Sequence, residues 1–166
     1  MITSEQVWDD LQNRFGNAVF DKSEPSGLLT FLTDTAHIIE VAKYLFDHKT
    51  FQVQFLTSLC GIHYPNAKGK ELGVVYHFHS LIHNFRIRIK VFVPIEKPKV
   101  PTMSDLHPTA NWQERETYDF FGIIFDGHPN LVRILNVDDM DYFPLRKEYP
   151  LEDPTRRDKD DSMFGR

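Results

Sequence analysis

Asn84-Phe85-Arg86-Ile87-Arg88-Ile89-Lys90-Val91-Phe92-Val93 alternates: Phe85, Ile87, Ile89, Val91 and Val93 fall on one side of an extended chain, Arg86, Arg88 and Lys90 on the other. Successive side chains of a β-strand point to opposite faces, so this run is a strand with one apolar and one cationic side. A strand buried in a parallel sheet is apolar on both sides. One polar side indicates an antiparallel or mixed sheet whose second face is open or covered by a partner. Residues 51–62 and 72–78 are also rich in β-formers, and Pro65, Asn66 and Gly69 mark a loop between them. Two helical stripes precede these strands. Helices first and consecutive strands after is an α+β order, predicting a mixed or antiparallel sheet with the two N-terminal helices on one face.

The first stripe is Val7, Trp8, Leu11 and Phe15, with Thr3 and Gln6 at capping-box spacing before it and Gly16 ending it. After the turn Pro25-Ser26-Gly27, residues 28–32 read as a short strand. Asp34 then opens a second helix with Ile38, Val41, Ala42, Leu45 and Phe46 on its buried side. Beyond the central strands the character changes. Residues 94–101 hold three prolines and form a connector that cannot continue a central strand. A third helix is expected over 110–121, with Gly122 at its C′ position. The arm that follows is irregular, with an Asp126-Gly127 turn and Pro129, Pro144 and Pro150. We divide the chain into one α+β domain, residues 1–149, and a charged tail, residues 150–166, either partner-docked or flexible. The tail's few apolar residues do not offset an ordering cost of about 1–2 kcal/mol per residue.

Composition removes several function classes. The 166 residues fit one domain, and the net charge of −5 speaks against a dedicated nucleic-acid binder. The single cysteine, Cys60, supports neither a disulfide framework nor a four-cysteine cluster. No apolar run approaches the roughly 18 residues of a membrane span, and the N-terminus has no signal-peptide pattern. Eight glycines are scattered without dinucleotide or phosphate-loop spacing, and no nucleophile elbow occurs.

The remaining constellations each have an ordinary explanation. His77 and His79 share one strand face and His83 follows, but no carboxylate lies between them, so a wet sheet face is the simpler reading than a metal site. Cys60 with His63 is weaker still. Arg86, Arg88 and Lys90 would make an RNA platform only if Tyr76 and Phe78 shared their face. Glu116 and Asp119 near Arg115 could act as a general-acid pair, although a salt-bridged, solvated helix face is commoner.

Three blocks downstream are more specific. The first is Glu114-Arg115-Glu116-Thr117-Tyr118-Asp119-Phe120-Phe121-Gly122-Ile123. The second runs Gly127-His128-Pro129-Asn130-Leu131-Val132-Arg133-Ile134-Leu135, and the third Pro144-Leu145-Arg146-Lys147-Glu148-Tyr149-Pro150. In this order and spacing they resemble the C subunit family of respiratory NADH:quinone oxidoreductase (complex I). Trp112 and the helix entry at 105–112 fit the same pattern. Residues 140–143 depart from it: Met140, Tyr142 and Phe143 stand where family members often carry a tryptophan and a glycine–histidine pair.

The resemblance implies an α+β subunit in the hydrophilic arm of a proton-translocating complex, on the cytoplasmic face of the bacterial inner membrane. It implies contact mainly with the D subunit of complex I and with neighbouring cluster-bearing subunits. The assembled complex uses NADH, FMN, iron–sulfur clusters and quinone. This chain is expected to carry no cofactor and to have no activity alone. On the same grounds Glu114, Arg115, Glu116, Asp119, Gly122, Gly127, His128, Pro129, Arg133, Pro144, Leu145, Arg146 and Lys147 are the candidate partner-binding residues. A face of His128, Arg133, Arg146 and Lys147 is expected to dock the D subunit, against the alternative that the arginines pair within the chain. Two other readings stay open: a homologous subunit of a membrane-bound hydrogenase or photosynthetic dehydrogenase, and an independent binding module using the basic sheet face.

Overall fold

The computed structural model describes residues 2–150; the tail at 151–166 lies outside the described residues. In chain order the elements are α1 (Ser4–Phe15), β1 (Val19–Ser23), β2 (Leu29–Thr33), α2 (Ile38–Asp47), β3 (Phe55–His63), β4 (Leu72–Ser80), β5 (Phe85–Val93), β6 (Lys99–Pro101), α3 (Ala110–Phe121) and β7 (Ile124–Asp126). Five strands form one mixed sheet in the order β1-β2-β5-β4-β3, and β6 pairs with β7 in a separate two-stranded sheet. Within the main sheet only β2 and β5 run parallel.

Register fixes the faces. Leu72, Val74, Tyr76 and Phe78 of β4 pair across to Val93, Val91, Ile89 and Ile87 of β5, and all eight are buried. Phe31 of β2 aligns with Ile89, and the Trp8 ring of α1 lies 5.8 Å from Phe31. Val7 and Leu11 of α1 and Val41, Ala42 and Leu45 of α2 enter the same core, so both N-terminal helices cover this face. The alternation at 84–93 translates directly into burial, with Ile87, Ile89, Val91 and Val93 inside and Arg86 exposed.

Local chemistry sets the boundaries. The Thr3 side chain accepts from the Gln6 backbone N–H while Gln6 returns the bond to the Thr3 N–H, the reciprocal cap expected at α1. Asp34 does not open α2 itself. Its carboxylate accepts from the N–H groups of Ala36 and His37 and so closes a turn, after which the helix proper begins at Ile38. The strand expected from residue 51 begins at Phe55, because Gln52 has a positive φ of 46° and the Phe51 N–H is tied to His48 Nδ1. β1, β6 and β7 are additions that the sequence pattern did not announce.

α3 runs beside the edge strand β3. The Gln113 side-chain oxygen accepts from the Leu59 N–H, giving that edge a partner, and the Phe121 ring occupies the space a side chain at Gly61 would need. α3 thereby leaves its C-terminal end in the open for the arm.

Candidate functional site

α3 is stopped by Gly122, which adopts the left-handed conformation (φ 72°, ψ 28°) and returns its N–H to the Tyr118 carbonyl. The last carbonyls of a helix have no partner within it and carry the negative end of its dipole. Here the arm supplies the partners. Arg133 Nη1 donates to the Asp119 carbonyl at 2.9 Å, the Leu145 N–H to Phe120 at 3.2 Å, and Arg146 Nε to Phe121 at 2.7 Å. Two guanidinium groups and one amide thus complete the helix end with favourable charge.

The arm is also held by a buried carboxylate. Asp119 is fully buried, and one of its oxygens accepts from the N–H groups of Ile134, Leu135 and Asn136 at 3.1, 2.8 and 2.9 Å. The other accepts from Arg133 Nη1 at 2.7 Å. Burial by itself raises the carboxyl's pKa; the backbone donors and the guanidinium outweigh it and hold the group well below the usual range. Arg133 Nη2 donates to the carbonyls of Met140 and Tyr142, and Arg115 donates to those of Val132 and Arg133. Arg133 and Arg146 both lie over the Phe143 ring, at 5.3 and 4.7 Å from its centroid.

Glu114, more than a turn earlier on α3, performs the same task on the other side. It is fully buried and accepts from Thr102 Oγ1 at 2.5 Å and the Met103 N–H at 2.6 Å, pinning the segment before α3. Burial pushes its pKa up to about 7, against the lowering effect of those two donors. The His128 ring donates from Nε2 to the Asn111 carbonyl and accepts at Nδ1 from the Asn130 N–H, with Nε2 4.0 Å from Glu114.

These positions revise the expected docking face of His128, Arg133, Arg146 and Lys147. Three of the four bond within the chain: Arg133 and Arg146 reach carbonyls that the C-terminal end of α3 leaves unpaired, and the His128 ring lies on the Asn111 carbonyl at the start of α3. Only Lys147 is exposed without an ion pair among the described residues, and its N–H is fixed to His63 Nδ1 at 2.9 Å. Of the ion pairs considered for this region, Arg133–Asp119 forms, Arg146–Glu148 is loose at 3.9 Å, and Arg115 takes carbonyls instead of Glu116. Glu116 is exposed, so it and buried, clamped Asp119 do not constitute a general-acid pair. Gly127 makes the turn after β7 with φ 86°, Pro129 is exposed, and Pro144 is half-buried at the start of the third block.

Between residues 127 and 150 there is neither helix nor strand. This braced arm turns apolar side chains outward: Leu135 is 64% exposed, Val137 63% and, on adjoining α3, Trp112 62%, with Val132, Tyr142, Leu145 and Tyr149 also exposed. Reading by residue type missed the role of Glu114, as well as Thr102 and His63. A signal existed: Ala110, Glu114, Thr117 and Phe121 fall at helical period, placing Glu114 on the buried stripe. Elsewhere, Tyr76 and Phe78 are in the core, so neither ring shares the face of Arg86, Arg88 and Lys90. His77 is bonded to Arg88 and His79 to Asn84, and among the described residues no three His, Cys, Asp or Glu side chains converge on a metal position.

Known proteins are similar to this chain in sequence and in fold. The C subunit of NADH-quinone oxidoreductase from Streptomyces coelicolor is 45% identical over 135 residues, covering 81% of this chain and 54% of that protein. The chain spans about half the length of the first curated relatives it matches. A solved trypsin-resistant fragment of Nqo5 superposes with a TM-score of 0.64 at 31% identity, covering 76% of this chain and 98% of that one. A chain of the membrane-bound sulfane sulfur reductase, an archaeal respiratory membrane complex, has a TM-score of 0.75 at 20% identity, covering 89% and 85%, and shares the fold. The family model for the respiratory-chain NADH dehydrogenase 30 kDa subunit matches residues 31–155, and the chain belongs to that family, the C subunits of complex I.

Proposed function

We propose that this chain is a cofactor-free, peripheral subunit of a proton-translocating NADH:quinone oxidoreductase, bracing the quinone-reducing module by docking the D subunit. The observation that carries the reading is the arm at 127–150. It has no sheet or helix of its own, yet it is locked by buried Asp119 and by Arg133 and Arg146, and it holds Leu135, Val137 and Tyr142 out to solvent. Side chains of this kind, clustered on one segment, mark an interface more often than a free surface. The internal bonds of Arg133 and Arg146 make them shape-holding elements beneath the interface, with Leu145 and Lys147 at its edge. No helix among the described residues is long and apolar enough to cross a membrane. In this reading, attachment to the cytoplasmic face of the inner membrane runs through other subunits.

The test is purification of the tagged chain from membranes of its native host, with identification of every co-purifying protein and NADH:quinone activity measured on the eluate. A flavin- and cluster-bearing assembly that oxidises NADH supports the proposal, with the D subunit retained longest as detergent is raised. Co-purification with a hydrogenase or ferredoxin-linked assembly lacking an NADH-oxidising module would reassign the chain to a related complex.

A further inference from the structure

The face of the main sheet opposite the helices has a charge pattern that neither the fold nor the arm uses. Strands β2, β3, β4 and β5 contain no aspartate or glutamate, in a chain with 24 acidic residues and a net charge of −5. On their open side the register sets His79 beside Arg86, His77 beside Arg88 and Val75 beside Lys90. Among the described residues no carboxylate forms an ion pair with Arg86, Arg88 or Lys90. Side chains two apart on a strand are separated by about 7 Å, inside the roughly 8 Å Debye length of physiological salt, so these cations repel one another. His77 cannot relieve the crowding. It accepts from Arg88 Nε at 2.8 Å as a neutral ring, and burial followed by the charges of Arg88 and Lys90 lowers its pKa.

Further along, the same face becomes apolar. Phe92 and Ile62 close over Gly73, filling the space a side chain there would occupy, and Tyr64 lies 6.0 Å from Phe92. Apart from Thr30, Gly73 and Val75, the residues of this face are exposed or half-buried. At the margin of the face, burial and then the charge of Glu116 on α3 raise the Cys60 thiol's pKa, while Arg88 lowers it.

We propose that this helix-free face docks an acidic segment of a neighbouring subunit, its carboxylates over the rows of Arg86, Arg88 and Lys90 and an apolar side chain over Ile62 and Phe92. Charge complementarity selects such an occupant: acceptors at strand or helix spacing would satisfy three cations that lack carboxylate partners among the described residues of an otherwise acidic protein. The inference rests on the chain being a subunit of a larger assembly, and it adds a second contact, chemically unlike the apolar arm.

Two residues on the face report its occupancy: Cys60, the sole cysteine, and Lys90. The tagged chain is purified alone and in its native complex, and maleimide labelling of Cys60 and acylation of Lys90 are timed by mass spectrometry. A carbodiimide then joins amines to carboxylates in direct contact. We expect both labelling rates to fall roughly tenfold or more in the complex, Lys90 to link to an aspartate or glutamate of another subunit, and Arg86→Glu to weaken retention by a similar factor. The surface proposal is overturned if both residues label in the complex at the free-chain rate, if Lys90 links only to carboxylates of its own chain, or if nuclease alone restores labelling. In those cases the complex is still recovered and its identification as an assembly stands. If the chain is recovered alone, the assembly reading fails and this proposal fails with it.

Discussion

Replacing Asp119 by alanine removes the acceptor on which the arm is hung. Four donors converge on its carboxylate, three from consecutive backbone N–H groups and one from Arg133. Hydrogen bonds to a charged group contribute about 1.5–3 kcal/mol each, but they share one carboxylate and do not add. The better guide is the removal of one member of a buried ion pair, at about 3–5 kcal/mol. That figure applies because the Asp119 side chain is 0% and the Arg133 side chain 9% exposed. The loss falls on the arm and leaves the sheet core intact, since Ile87, Ile89 and Tyr76 make their contacts elsewhere. Native-state hydrogen exchange resolves the two. In Asp119→Ala the amides of Ile134, Leu135 and Asn136 should exchange roughly a hundred- to several-thousandfold faster, while β4 and β5 amides change little. If those three amides keep their wild-type protection, Asp119 is not the anchor. The pH dependence has a definite sign. The folded pKa lies below the unfolded one, so the contribution is complete above the ordinary carboxylate range and is lost as pH falls through the folded value. The arm should stay docked through neutral and mildly acidic pH and release only in stronger acid.

Glu114 behaves in the opposite sense. Its folded pKa of about 7 exceeds the unfolded value of 4.5, so stability declines as pH rises between these two values and is level above them. Glu114→Gln should flatten that window in a series of melting temperatures; an unchanged slope would mean that another group titrates there. Gly122→Ala places a methyl 2.5 Å from the Phe143 ring in a left-handed conformation, at roughly 1–2 kcal/mol for the backbone and 1–3 for the overlap. Urea unfolding that registers less than about 1 kcal/mol would show the helix end to be more yielding than its contacts indicate. Gly61→Ala drives a methyl into Phe121 and should loosen α3 from β3, seen as faster exchange at the Leu59 amide; unchanged exchange there would refute the close contact.

The parts legible in the sequence were those with a local cause. The capping box at Thr3 and Gln6, the alternation of 84–93 and the glycine ending α3 are each written within a dozen residues. β1 was not legible, because Asp21 sits at a positive φ of 52° and interrupts its pairing with β2. β6 and β7 are three residues each and pair across the whole of α3, leaving no local pattern to read. The site failed in a more instructive way. Asp119 reads with Glu116 as a solvated helix face, since charge in a helix is ordinarily on the outside, yet Asp119 and Glu114 are both fully buried. What allows their burial is a supply of N–H groups at residues 103 and 134–136, remote in sequence and set in place only when the chain has folded. The family blocks located these residues; the structure supplies their chemistry.

Whether the braced arm is an interface is decided by Leu135→Asp combined with Val137→Asp. Both side chains are about two-thirds exposed, so the isolated chain should lose no more than about 0.5 kcal/mol per site. The quantity to measure is the amount of neighbouring subunit retained per folded molecule of tagged chain, purified from native membranes. An interface requires that the double variant melt like the wild type and bring down little or no partner. A double variant that melts like the wild type and retains its partners in full would show that the arm docks nothing.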